Sequence, residues 1–302
     1  MNIVTHLRAR SVTAILSIAL TALSVSPVVA LTAAKAECAA VPADSAGLRD
    51  VSGRLREPVQ AQAVVDVPKR DQGRGGAGFS ETVAVYFHVI TNGTDGAVSM
   101  GTIAQQMQVL GRGYAGQYGG TDTGFDFALA DVDVTVNAAW FDAGPGSPEE
   151  AAMKQALKQG GPADLNVYTT SGNAYLGWAY YPSIVGSSQE YLDGVVMDYR
   201  SMPGGPYGDH YSLGGTLTHE SGHWLGLAHT FEGKCGSTGD LVADTPPERT
   251  PTGGCPEGKD TCPSAGLDPI HNYMDYSYDS CYTQFTPGQG SRMQDQFLFF
   301  RA

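Results

Sequence analysis

Past residue 36 this sequence has no apolar run approaching the roughly 20 residues that a helix needs to cross a bilayer. Basic side chains are also scarce: 18 Lys and Arg stand against 31 Asp and Glu, a formal charge of −13. A protein of that sign repels nucleic-acid phosphates and anionic lipid, which argues against both as partners, while calcium sites or basic peptides remain compatible with it. No internal repeat or low-complexity tract is found, so solenoid and fibrous architectures are set aside. Cysteine is sparse too, and the spacings of Cys235, Cys255, Cys262 and Cys281 do not form the paired C-x-x-C knuckles of a structural zinc site. In an exported chain those four read as two disulfides, with Cys38 left over.

Export is what the N-terminus indicates. Arg8 and Arg10 form a basic start, an apolar stretch runs from Val12 to Val25, and small residues end at Ala30 and again at Ala36. Residues 1–36 are therefore expected to be a signal peptide, cut after 30 or after 36. Its removal takes away Arg8, Arg10 and Lys35 and no acid, so −13 becomes −16. Residues 37–79 are poor in large apolar side chains and end in a polar, glycine-rich stretch from Lys69 to Gly76; they read as a flexible pro-segment open to processing.

Residues 80–302 carry the expected folded domain, with 42% hydrophobic residues in the whole chain to fill a core and many Gly and Pro to supply turns. Val83, Val85, Phe87 and Val89 alternate as in a half-buried strand, and Ile103, Met107, Leu110 and Tyr114 recur at helical spacing. Further strands are expected at 125–129, 132–136, 165–169 and 195–199, and one near 176–181 that could line a cleft. Ser147, Pro148 and Glu150 predict a second helix start, and Thr286, Pro287 and Gln289 a last one. Between them a helix from Thr216 to about Leu227 is followed by an irregular stretch rich in Gly, Pro, Cys and Asp. The expected fold class is α/β (α+β): a sheet-bearing N-terminal subdomain with a central helix, then an irregular C-terminal subdomain closed by a helix.

The central helix carries His219-Glu220-Ser221-Gly222-His223, continued by Gly226 and His229. Side chains four apart share a helix face, so His219 and His223 can reach one ion. Gly226 can take the positive φ that ends the helix and turns His229 back toward that ion. Three histidines leave the fourth position of a tetrahedral zinc open for water, the arrangement of a catalytic site, with Glu220 as the general base. Unrelated core histidines on an amphipathic helix are the bland alternative, and the glycine and third histidine at fixed offsets weigh against it.

This string resembles the metzincin metallopeptidases, in which the motif is followed by a methionine turn. Asn272-Tyr273-Met274-Asp275-Tyr276 fits that turn, with Met274 as the apolar floor and Tyr276 matching a tyrosine that helps stabilise the tetrahedral intermediate. Within the metzincins the sequence is similar to the pappalysin (cytophagalysin) family from about Val83 onward, through 137–140, 165–168, 219–231 and 239–246. That resemblance implies a zincin fold, one catalytic zinc, and crossed disulfides pairing Cys235 with Cys262 and Cys255 with Cys281. It implies a structural calcium loop at Asp240, Asp244 and Thr245, for which an Asx-rich turn is the equal alternative. It also places Asp279 in the wall of the pocket for the residue after the scissile bond, where a carboxylate would favour Arg and then Lys. Such bonds precede Arg70 and Arg74 in the chain's own connector. Cys38 is the candidate for a cysteine switch that silences the zymogen.

The function expected from all this is a secreted zinc endopeptidase acting on protein or peptide substrates, with no nucleic-acid partner and no stable membrane anchor. The rival is a secreted zinc-containing binding or adhesion protein without proteolytic activity; it would show loss of Glu220 or of a ligand, and none is lost.

Overall fold

The computed structural model describes residues 57–58, 62–236 and 239–302. The expected signal peptide and Cys38 lie outside these residues. Strand β1 (Glu81–Thr91) joins a five-stranded sheet with β2 (Phe125–Val136), β3 (Leu165–Thr170), β4 (Gly177–Ala179) and β5 (Val195–Asp198). The order is β2-β1-β3-β5-β4, parallel except for β4, which runs antiparallel to β5 at the edge. β3 and β5 are buried on both faces, in keeping with the mostly apolar and Thr residues of inner strands, with Asn166 and Asp198 as their buried polar exceptions.

The two strands expected at 125–129 and 132–136 are one. Between Val85 and Tyr86 the partner on β2 jumps from Leu129 to Asp131, so one extra residue bulges out without ending the ladder.

Helix α1 (Met100–Tyr114) follows β1, and its Ile103, Leu110 and Tyr114 are fully buried. A short α2 (Ala138–Phe141) leads to α3 (Pro148–Leu157), where the Ser147 side chain accepts from the Glu150 N–H and proline holds the first turn. Helix α4 (Gly208–Tyr211) precedes the central α5 (Gly215–Trp224), which lies against α1, β4 and β5. α5 ends at Trp224 and not at Leu227, because Gly226 leaves the helical region at φ +95°. The terminal α6 (Pro287–Phe300) opens with a full capping box between Thr286 and Gln289.

One apolar core joins β1, β3 and β5 to α1, α5 and α6 through Phe87, Val167, Leu217, Trp224, Met274, Phe285 and Phe297. After α5 the chain is irregular and is held by disulfides Cys235–Cys262 and Cys255–Cys281, each closing a loop with a chain-entropy contribution on the order of 3 kcal/mol. Residues 62–79 differ from the flexible connector expected of them. Asp295 on α6 accepts from the Gly73 and Arg74 N–H groups at 2.7 and 3.0 Å, and Gln294 accepts from the Gly76 N–H at 2.7 Å. Backbone donors that a loose loop would leave to water are thus held by one helix face.

Candidate active site and metal centre

Helix α5 is preceded by Gly214 at its N-cap, whose φ of +97° a side-chain-bearing residue rarely adopts and which offers no side-chain cap. Asp279 fills that role from the irregular region. Its Oδ2 accepts from the Leu213 and Gly215 N–H groups at 2.8 and 3.1 Å, placing a carboxylate at the positive end of the helix. Only glycine allows this approach, since a Cβ on Gly215 would lie 2.5 Å from Asp279 Oδ1.

One turn further on, His219 and His223 point the same way, and the glycine turn returns His229 to meet them. His223 Nε2 is 3.1 Å from His219 Nε2 and 3.1 Å from His229 Nε2. The other ring nitrogens fix the tautomers: His219 Nδ1 donates to the Tyr273 carbonyl at 2.6 Å, and His223 Nδ1 to the Leu227 carbonyl at 2.7 Å. A carbonyl can only accept, so Nδ1 carries the hydrogen and Nε2 presents a lone pair. Burial keeps His219 and His229 below the usual imidazole pKa, in the neutral form that metals bind. Lone pairs facing each other at this distance repel unless a cation lies among them, and the nitrogen set suits zinc.

Glu220 is next to this cluster, buried, with its Oε2 lacking a hydrogen-bond partner among the described residues. Burial, reinforced by the charge of Glu57, pushes its carboxyl well above the usual range. Glu220 lines a cleft together with Leu176, Thr216, His219, Tyr276 and Tyr282. The edge strand β4 is so close that a Cβ on Gly177 would lie 2.9 Å from Glu220 Oε1.

Met274 forms the floor. It is fully buried, and a Cβ on Gly222 would sit 2.4 Å from its sulfur, so the helix and the methionine turn meet without a spacer. Asn272 holds this turn to α6: its amide nitrogen donates to Gln289 Oε1 at 2.7 Å, the Gln289 amide nitrogen donates back at 3.0 Å, and the Met274 N–H donates to the same Asn272 oxygen at 2.9 Å. Tyr276 stands beside the histidines, with ring centroids 5.8 Å from His219 and 5.0 Å from His229.

The Asp240 loop is separate from this centre. Burial pushes the Asp240 carboxyl up to about 6, and Thr245 is buried near it. Asp244 instead caps α6, accepting from the Thr286 hydroxyl at 2.7 Å and the Gly288 N–H at 2.8 Å.

One residue that sequence reasoning passed over enters the cluster. Glu57 is buried, and it is grouped with His219, His223 and His229 so that all four ligand atoms lie within 4.8 Å of one another. No motif marks it; a lone Glu before Pro58 in a segment poor in apolar residues carries no periodic or spacing signal.

A mixed sheet with an antiparallel edge strand beside a helix bearing two histidines a turn apart, a third after a glycine turn and a methionine below them defines a metzincin-like metallopeptidase. Residues 164–298 match the family model Peptidase M43, described as pregnancy-associated plasma protein-A. The chain is 49% identical over 228 residues to an extracellular metalloprotease of Colletotrichum graminicola, covering 73% of this chain and 78% of that protein. It is 42% identical over 257 residues to one from Pyricularia oryzae, covering 82% and 87%. Among solved structures, mirolysin in complex with a compound superposes with a TM-score of 0.64 at 28% identity, covering 72% of this chain and 92% of mirolysin. A promirolysin mutant from Tannerella forsythia gives 0.64 at 27% identity, covering 76% and 84%. The chain belongs to the M43 family of metallopeptidases.

Proposed function

We propose that this chain is a secreted zinc endopeptidase that cuts internal peptide bonds, with His219, His223 and His229 holding the metal and Glu220 as general base. The observation that carries this reading is the convergence of three imidazole nitrogens, those of His219 and His223 fixed as acceptors by their Nδ1 bonds, next to a buried carboxylate oxygen without a partner among the described residues. When bound, zinc would acidify a water and polarise the scissile carbonyl. Glu220 takes the proton from that water and returns it to the leaving amine; its raised pKa brings it toward the range such a shuttle needs. The Tyr276 hydroxyl, beside the histidines, is suited to donate to oxygen charge that develops on the substrate. β4, an edge strand next to Glu220, offers backbone groups to an extended peptide. Secretion accords with the names of the fungal relatives and with the N-terminal sequence; among the described residues no helix is long and apolar enough to cross a membrane.

The test is digestion of a mixed protein substrate by the processed protein, with and without chelators. Glu220→Gln should retain zinc and lose at least about a thousandfold in kcat, as expected when a group acting on the proton is removed. Undiminished cleavage would remove Glu220 from the mechanism, and the adhesion reading predicts no chelator-sensitive cleavage at all. An arm with a calcium-selective chelator examines the Asp240, Asp244 and Thr245 loop: loss of thermal stability reversed by calcium supports a structural ion there.

The finer reading is a preference for Arg, then Lys, after the scissile bond, set by Asp279. Its Oδ2 is engaged by the start of α5, and Oδ1 faces Gly215 at the helix start, one residue before the cleft-lining Thr216. Asp279→Asn keeps an acceptor for both backbone donors and removes the charge. In a peptide library the variant should lose roughly tenfold or more in kcat/KM for Arg relative to Leu at that position. An unaltered ratio would dismiss Asp279 as the specificity residue. Bonds before Arg70 and Arg74 become candidate self-maturation sites under this reading; both side chains are exposed.

A further inference from the structure

Glu57 does not belong to the catalytic motif, yet its Oε1 stands 3.5 Å from His219 Nε2 and 3.4 Å from His223 Nε2, and closest of all to His229 Nε2. A tetrahedral zinc with bonds of 2.0–2.1 Å separates its ligand atoms by about 3.3–3.4 Å. The carboxylate oxygen is thus spaced from two of the imidazoles as a fourth ligand would be. His219 and His223, whose Nδ1 atoms carry the hydrogens, cannot donate to it from Nε2, so at least three acceptor atoms converge beside His229, and a cation among them is what reconciles them. The Tyr276 hydroxyl donates to the same Oε1 at 2.7 Å, which directs the oxygen's remaining capacity inward.

The chain that follows is positioned to keep Glu57 there. The Gln62 side chain accepts from the Tyr181 N–H at 2.9 Å, just past the edge strand β4. The Val65 carbonyl accepts from Gln296 Nε2 at 2.8 Å and Arg292 Nη2 at 3.3 Å, and Asp66 pairs with Arg292 at 2.8 Å. Glu57, Pro58, Gln62, Ala63 and Val64 line one groove with Tyr181 and His229, and Glu57 also lines the cleft that holds Glu220 and Tyr276.

We propose that in the unprocessed chain Glu57 is the fourth protein ligand of the metal, occupying the position the attacking water needs, and that Glu57, Pro58 and residues 62–66 act as an inhibitory strap at the cleft. This rests on the zinc reading above. Tyr276 serves the restraint as well as the reaction, since the hydroxyl placed to stabilise an oxyanion is held by the Glu57 carboxylate. Activation consists of withdrawing this oxygen, which leaves three histidines and an open position. The blocking role assigned above to Cys38 passes to Glu57.

The experiment uses the full unprocessed chain loaded with cobalt in place of zinc, as wild type, Glu57→Gln, Glu57→Ala, Cys38→Ala and His223→Ala. Cobalt reports its ligands through its visible absorption bands. In the wild type these bands should be indifferent to added azide. In both Glu57 variants they should shift and respond to azide, and the zinc-loaded uncut variants should hydrolyse a peptide at least tenfold faster than the uncut wild type. Cys38→Ala should match the wild type. A cobalt spectrum that is lost in His223→Ala but unmoved and azide-insensitive in both Glu57 variants would overturn the inference while leaving the histidine site standing. A sulfur-to-cobalt charge-transfer band that vanishes in Cys38→Ala would overturn it in favour of the cysteine. Cobalt spectra unaffected by His223→Ala would overturn the metal assignment itself, and this inference with it.

Discussion

Glu220 and Gly177 show how a single missing side chain sets the working geometry. The edge strand approaches the carboxylate so closely that a methyl group on Gly177 would fall 2.9 Å from Oε1 and 3.0 Å from Cγ, inside van der Waals contact. The carboxylate, more easily moved than a strand held in the sheet, would give way. Gly177→Ala should therefore lower kcat by about ten- to a hundredfold through misplacement of the base, with zinc content and melting temperature close to wild type. Metal analysis beside steady-state kinetics checks this; loss of zinc along with activity would mean that the strand supports the histidines and not Glu220. The histidine cluster was legible in the sequence because its spacing is local: a helical turn, a glycine, and three more residues. Glu57 and the role of Gly177 were not, because each depends on tertiary approach: Glu57 lies 162 residues before His219, and the strand expected at 176–181 carries no sign of how closely Gly177 meets Glu220.

At the scale of the element, α6 does more than close the domain. Arg301, immediately after it, donates from Nε and Nη2 to the Trp224 carbonyl at 3.1 and 2.9 Å, satisfying the C-terminal end of α5. The same guanidinium lies 3.7 Å over the Trp224 ring and forms two bonds to Asp193 at 2.9 and 3.0 Å. Burial pushes Asp193 up, but Arg301 outweighs it and holds the carboxyl below the usual range. Removing the cation leaves a buried carboxylate without its partner, so Arg301→Ala should cost about 3–5 kcal/mol in denaturant unfolding. A loss below about 1 kcal/mol would show that water reaches Asp193. The start of α6 could be read from Thr286, Pro287 and Gln289, since a capping box is a local pattern. What the helix holds could not be read: Arg292, Gln294, Asp295 and Gln296 appear in sequence as ordinary solvent-facing polar residues, and only the fold brings residues 65–76 against them and Asn272 against Gln289. The bulge in β2 escaped for the opposite reason, because one extra residue resets the alternation and imitates a break between two strands.

For the whole molecule, acidity of the medium should matter through a buried pair beyond the metal centre. Burial, and then the charge of Asp275, pushes Glu248 up to about 7, against the pull of Lys259 and the Thr230 hydroxyl. Asp275 is itself raised by burial, and Lys259 is shared with Asp268 at 3.1 Å. The folded chain thus keeps a proton on Glu248 at pH values where the unfolded chain, titrating near 4.5, has released it. More protons bound in the native state means that stability falls as pH rises from about 4.5 to about 7 and levels off above that. Glu248→Gln should flatten that slope in melting temperatures measured from pH 4.5 to 8; an identical slope in both proteins would assign the dependence elsewhere. One feature of the fold also bears on the order of assembly. The methionine floor, held through Gln289, and the N-terminal strap, held through Arg292 and Gln296, depend on the same helix. During synthesis that helix leaves the ribosome after every other element described, so nothing made earlier can complete either one. The floor beneath the histidines and the α6 anchorage of the N-terminal segment therefore both wait for the last of the described elements to dock.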